Sequence, residues 1–249
     1  MSVQKQFIEE VQKPAAEINV ELCALLFAAE IKPDTNVRES VLALDRQVNT
    51  FLSRSGISFD RAQSNSDFLT NVVGGVLGYR GDTLEYFSAD NSLFDSVIEN
   101  RLGIPISLAA IYISVGQRLG IDVHGVGFPG HYLIRITEPD GSGTLVDPFS
   151  HGKVSQQQIE GLVETVRQQA GGFDDGWLAN AHPHDMLVRM FENLKRVFLN
   201  AGELSAAQHC LDYQLILRPE DPALLSQLEA LLKHSGDAAR SGKGASRLH

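Results

Sequence analysis

The chain has 249 residues, 43% hydrophobic and 21% charged, enough apolar material for one large domain or two small ones without disulfide or metal staples. Its net charge of −10 and pI of about 5.2 argue against a general nucleic-acid binder, which carries a basic face. No apolar run approaches the ~18 residues that span a bilayer, and Met1–Glu10 lacks the basic-then-apolar layout of a signal peptide. The expectation is a cytoplasmic protein with neither membrane nor nucleic acid as partner.

In chain order, residues 8–30 read as a helix that Pro14 kinks or restarts, and Val37–Leu52 as a second with Val37, Val41, Leu44 and Val48 on one stripe. A loop is expected over Ser53–Asp60, a third helix over Asp67–Leu77 ended by Gly78, and a polar, turn-rich stretch over Tyr79–Asn91. Asn91-Ser92 is placed to cap a helix over Leu93–Arg101. Pro105 to about Leu119 is almost wholly apolar, the pattern of a buried central helix. Proline suits its first position, where the missing N–H has no intrahelical partner, and Gly120 ends it.

The periodicity then changes. Val123–Val126, His131–Ile136 and Thr144–Val146 read as strands, the last two joined as a hairpin by Pro139-Asp-Gly-Ser-Gly143. A short helix within Gly152–Gly172 follows, then helices over Asp185–Asn200, Leu204–Leu217 and Ala223–His234, and a frayed polar tail. These elements divide the chain into 1–178, 179–234 and 235–249. The fold class is α+β, mostly helical, with a buried central helix against a small antiparallel sheet and a C-terminal helical module.

A hairpin centred near Gly141 sets His131 and Asp147 roughly opposite each other. A carboxylate beside an imidazole fixes its tautomer and stabilises the protonated ring, the orienting part of a catalytic triad. The missing part is a nucleophile. Thiol enzymes place a Cys at a helix N-terminus, where the dipole favours thiolate. Here that helix opens with Pro105.

The layout resembles the transglutaminase-like superfamily, whose core is shared with papain-like proteases. Gly103-Ile-Pro105, Ala109, Gly120-Ile121, Gly130-His131 and Asp147-Pro148 fit its spacing. More narrowly, the chain resembles the bacterial Sir-B-type branch, a transglutaminase-like core followed by tetratricopeptide-like helices. The residues that carry this are Asp90-Asn-Ser92, the run Asn100–Leu108, Gly125–Arg135, Val146-Asp-Pro-Phe149, Asn193-Leu-Lys195, Gly202-Glu203 and Leu217-Arg-Pro219. The resemblance implies that the family Cys position is Pro105 and that its His and Asp are His131 and Asp147. It implies that branch members often carry Pro-Ile-Ser in place of the Cys, so thiol chemistry is not expected.

His131 reads either as a triad remnant facing Asp147 or as a structural residue pinning the hairpin, and Asp147 either orients His131 or caps the turn at Pro148. Ser107 is a poor substitute nucleophile, because two residues on a helix rotate it by ~200° from position 105. Local hydrogen bonding suits it better. Asn91, Asn100 and Arg101 could line a cleft with Ser107 or simply end a solvated helix. His182-Pro-His184 with Asp185 does not form a helical ligand pair, so no metal is expected, nor any cofactor. His124 and His151 have no evident partner. Cys23 and Cys210 sit in apolar helical patterns and read as buried core residues without a bridge.

Three functions compete: a non-catalytic, transglutaminase-like protein that binds a protein or peptide in a regulatory role; a hydrolase or acyltransferase with altered chemistry using His131 and Asp147; and a thiol enzyme drawing on Cys23. The first is preferred.

Overall fold

The computed structural model describes residues 1–55, 64–170 and 174–245, and the segments 56–63, 171–173 and 246–249 lie outside the described residues. The chain forms two compact units, Met1–Met186 and Leu187–His249. The boundary falls inside a helix.

In the first unit, α1 (Val3–Val11) stops short of Pro14, and the chain restarts as α2 (Val20–Ile31), with Asn19 capping the N–H of Leu22 at 3.0 Å. α3 (Val37–Ser55) follows, running through residues 53–55 that read as loop. The expected third helix divides into α4 (Asn65–Thr70) and a π-helical turn, Asn71–Val76. A short strand β1 (Arg80–Gly81) pairs in parallel with β2 (Leu102–Gly103), and the two flank α5 (Phe94–Asn100). The cap expected at Asn91-Ser92 is not formed. Leu93 is the N-cap of α5 and has no polar side-chain atom to cap with, while the Asn91 amide is engaged elsewhere.

α6 (Pro105–Leu119) is the buried central helix the apolar run predicts, packed on α2, α3 and α5 and on the first two strands of a sheet. Its far end is fixed by charge. Arg118 holds both oxygens of the buried Glu21 at 2.6 and 2.9 Å and Asp45 at 2.7 Å, tying α6 to α2 and α3. The sheet is an antiparallel meander of β3 (Val123–Val126), β4 (Leu133–Thr137), β5 (Gly143–Asp147) and β6 (Gly152–Lys153). The alternating pattern of the hairpin did predict β4 and β5, but β6 is only two residues long and carries no pattern. α7 (Gln156–Ala170) follows the sheet.

Glu138, at the turn of the hairpin, accepts hydrogen bonds from Ser66, Thr144 and Ser64, which anchor the start of α4 to the sheet. Burial alone would raise its pKa, but these bonds outweigh burial and hold the carboxyl below its ordinary value. The His182-Pro-His184 segment leads into α8 (Pro183–Ala201). His182 Nδ1 accepts the N–H of His184 at 3.1 Å and His184 Nε2 lies 2.8 Å from the carbonyl of Val11, so both rings secure the helix start.

The second unit comprises the rest of α8 with α9 (Leu204–Leu217) and α10 (Pro222–Ala245). Leu187, Phe191, Leu194 and Phe198 recur at helical spacing and are buried, with Phe191 edge-on to Tyr213 at 5.9 Å. Lys195 is buried among them, its ammonium held by Glu192 at 2.5 Å, Gln227 at 2.6 Å and Gln214 at 3.2 Å. All three N–H donors are thereby used, which is what a buried ammonium requires. α10 runs on past His234, where the sequence pattern ends it, because Ala238-Ala239-Arg240 is favourable helix composition. Among the described residues, no helix is long and apolar enough to cross a membrane.

Candidate functional site

The start of α6 is sealed. Pro105 occupies its first position and is half-buried, with extended Ile104 as the N-cap. Ser107, wholly buried, accepts the N–H of Ile104 at 3.0 Å and donates to the carbonyl of Asn91 at 2.6 Å. Its hydroxyl serves the backbone of the preceding loop. Gly103 is required for this closeness, since a Cβ there would stand 2.7 Å from Ser107 Oγ.

The other predicted residues near this point serve different places. Asn91 is buried, and its amide donates to Asp82 Oδ2 at 3.1 Å and the Glu85 carbonyl at 2.7 Å. Asn100 is the exposed last residue of α5. Arg101 takes the left-handed conformation, φ 58°, that ends α5, and borders a separate open cleft with Lys32, Asp95 and Glu99.

His131 and Asp147 share a second cleft, of about 330 Å³. The ladder pairs Ile134 with Val146, so the next position sets Asp147 against Leu133 and leaves His131 two residues before β4. Gly130, at φ 76°, turns the chain into that position. Leu133 forms part of the cleft wall, with Ser150 from the turn after β5, Lys153 from β6, and Gln158, Gly161 and Thr165 from α7. Pro105 and Ser107 are not among its described lining residues. The Asp147 carboxylate accepts the N–H of Phe149 at 2.9 Å and the Ser150 hydroxyl at 2.8 Å, which fixes the turn after β5.

His151 and His124 do have partners, contrary to the sequence expectation. His151 takes the left-handed conformation at φ 56°, and its Nδ1 lies 2.7 Å from the hydroxyl of Tyr112 on α6. Its ring also lies close to Gly74, where a Cβ would come within 2.9 Å. Burial pushes the His151 pKa down, offset in part by the Tyr79 backbone and the charge of Asp147, and burial pushes the Tyr112 phenol up. A Gly-Gly pair at 74–75 and a lone His after Ser150 carried no spacing that could link them. His124 Nε2 lies 3.0 Å from Asp122 on the surface.

Neither thiol is available for chemistry. Cys23 and Cys210 are buried, and burial pushes both well above the ordinary thiol range, with Glu10 adding to the effect at Cys23. Among the described residues no group of three or more His, Cys, Asp or Glu side chains could hold a metal ion.

The comparisons with known proteins agree with this architecture. Residues 35–192 match the model of the transglutaminase-like superfamily. A UPF0162 protein of Xylella fastidiosa (strain 9a5c) is 44% identical over 155 residues, covering 60% of this chain and 54% of that one. A UPF0162 protein of Pseudomonas aeruginosa is 27% identical over 187 residues, 74% of this chain and 66% of its own. The F-box only protein 21 of Mus musculus is 32% identical over 182 residues, 68% of this chain and 28% of its own. The chain thus spans about half the length of the first Xylella relative it matches. With the family model covering more than half of the sequence, the chain belongs to the transglutaminase-like superfamily.

Proposed function

We propose that this is a non-catalytic member of the superfamily, of the Sir-B type, that binds a protein or peptide segment in the cleft bordered by His131 and Asp147. The observation that carries this reading is the sealed start of α6. If Pro105 stands at the family Cys position, the site has no thiol there, and the hydroxyl two residues on, Ser107, is buried and bonded to backbone. The cleft itself offers a histidine, a carboxylate, a lysine, a glutamine and a leucine, a mixture suited to an extended polypeptide. We assign α8 and α9, joined near Gly202, to a tetratricopeptide-like hairpin that contributes to partner binding, with α10 as an added helix. A cytoplasmic location, a regulatory role and a bacterial setting belong to the same proposal, the last supported by the UPF0162 relatives.

Gly161 supplies the test. It lines the cleft from α7, and a Cβ there meets nothing within 4 Å. Gly161→Trp should fill the cleft without disturbing the fold. On a peptide array, the wild-type chain should retain peptides that the variant loses. Equal retention by both would overturn the cleft as the binding site.

A second reading keeps chemistry in the same cleft. His131 and Asp147 line it together, and general acid–base groups alone give ~10²–10⁴-fold acceleration. A hydrolase or acyltransferase of altered mechanism would use them without a covalent intermediate.

A further inference from the structure

The loop from Asp82 to Asn91, between β1 and α5, holds three large apolar side chains out of the fold. Leu84 is 94% exposed, Phe87 72% and Tyr86 41%. Such side chains ordinarily turn inward, and here they sit on a loop whose backbone is bonded in place. Asp82 Oδ1 accepts the N–H groups of Leu84 and Glu85, both at 2.9 Å, and Oδ2 accepts the Asn91 amide. That amide also reaches the Glu85 carbonyl at 2.7 Å, and the Asn91 carbonyl takes the buried hydroxyl of Ser107. The two ends of the loop are thus locked to each other and to the start of α6. An ordered loop displaying apolar groups loses little conformational entropy on binding.

The loop also adjoins the turn beside the cleft. Tyr86 lies edge-on to Phe87 at 5.2 Å and 6.1 Å from Phe149. The Phe149 ring presses on Gly81, where any Cβ would collide with it, and the Phe149 N–H bonds Asp147. The apolar tip therefore borders the turn that carries Asp147 and Ser150, two residues of the cleft wall.

Charge narrows the occupant. Between Arg80 and Asn91 the loop carries Asp82, Glu85 and Asp90 against Arg80, and Lys32 pairs with Asp90 at 3.1 Å, which leaves Asp82 and Glu85 as the acidic groups beside the apolar tip, within a chain of net charge −10. The Glu85 backbone N–H and the Asn91 amide hold the Asp82 carboxyl below its ordinary value. An acidic rim around an apolar tip repels anionic lipid and attracts a basic polypeptide.

We propose that the Asp82–Asn91 loop is a docking surface for a polypeptide segment that presents a leucine- or phenylalanine-sized side chain beside lysine or arginine, the segment continuing into the His131–Asp147 cleft. This rests on the peptide-binding reading of that cleft. The test is selection of a phage-displayed random dodecapeptide library on the full chain, followed by fluorescence polarisation of the enriched peptides. Enriched peptides should share an apolar residue next to a basic one. Leu84→Ser with Phe87→Ser should weaken them at least tenfold, and Glu85→Lys by a smaller factor. Both sets of substitutions are on exposed side chains and leave the Asp82 and Asn91 bonds in place, which thermal unfolding checks. Peptides lost by Gly161→Trp but indifferent to the loop variants would overturn the docking surface and leave the cleft reading standing. No enrichment at all would overturn both. Flotation with phosphatidylcholine vesicles that depends on Phe87, or a dimer dispersed by the double variant, would assign the surface to lipid or to a second copy and overturn the proposed occupant.

Discussion

The start of α6 and the cleft at His131 and Asp147 are built in opposite ways, though a thiol enzyme needs them to work as one. At the helix start every polar group of Ser107 is spent on backbone, and Pro105 brings no donor at all. At the cleft, His131, Lys153 and Gln158 face an open volume of about 330 Å³. The first region is closed by its own backbone bonds and the second is open. A fold can keep the second while the first becomes structural, because the two depend on different elements, α6 and β2 on one side and the β4–β6 meander with α7 on the other.

The comparison can be broken most forcefully at Ser107. Ser107→Ala should cost about 1–3 kcal/mol in urea unfolding, because the Ile104 N–H and the Asn91 carbonyl lose that hydroxyl and keep only their longer bond to each other, at 3.3 Å. A cost below ~0.5 kcal/mol would mean that the helix start is not sealed as described.

The next effect is pH-dependent and belongs to His151, beside the Asp147 turn. Its folded pKa is depressed, so the folded chain favours the neutral ring while the unfolded chain binds a proton as pH falls through ~6.5. Its contribution is therefore complete above that pH and is lost as pH falls from there toward the folded value. The slope is at most that of one proton, about 1.4 kcal/mol per pH unit. Asp67, Asp82, Asp90 and Glu138 are also depressed, but carboxylates act below about pH 4.5 and do not overlap this window. Urea midpoints should fall between about pH 7 and about pH 5.5 in the wild type and stay flatter in His151→Asn. An equal fall in both would remove His151 from the account.

Asp147→Ala is expected to be milder, about 1–2 kcal/mol, from loss of the Phe149 and Ser150 bonds at a partly exposed turn. Asp147→Asn should recover part of that, since the amide oxygen still accepts one bond. Pro105→Ala should be the smallest change, under about 1 kcal/mol, because the N–H it restores at the first helical position has no intrahelical acceptor to miss.

The apolar run after Pro105, the Gly120 stop and the hairpin of alternating residues were legible in the sequence because helix and strand periodicity follow directly from burial on one face or all faces. The hairpin arithmetic that sets His131 opposite Asp147 misses the ladder by two residues, since Asp147 falls against Leu133, and the two residues meet only as parts of one cleft wall. The stretch Tyr79–Asn91 reads as polar and turn-rich, yet it displays Leu84, Tyr86 and Phe87, and apolar residues in a loop carry no periodicity that tells exposed from buried. β1 and β2 are two residues each, too short to alternate. The Tyr112–His151 bond joins residues 39 apart through tertiary packing alone, which no local signal encodes.

Turnover is the measurement that tests the central claim most directly. The purified chain would be incubated with amine donors, glutaminyl peptides, and panels of peptides and esters, alongside His131→Ala and Cys23→Ala. The account predicts no product above the His131→Ala background with any of them. Turnover that His131→Ala abolishes and Cys23→Ala spares would contradict it and establish the cleft as an active site.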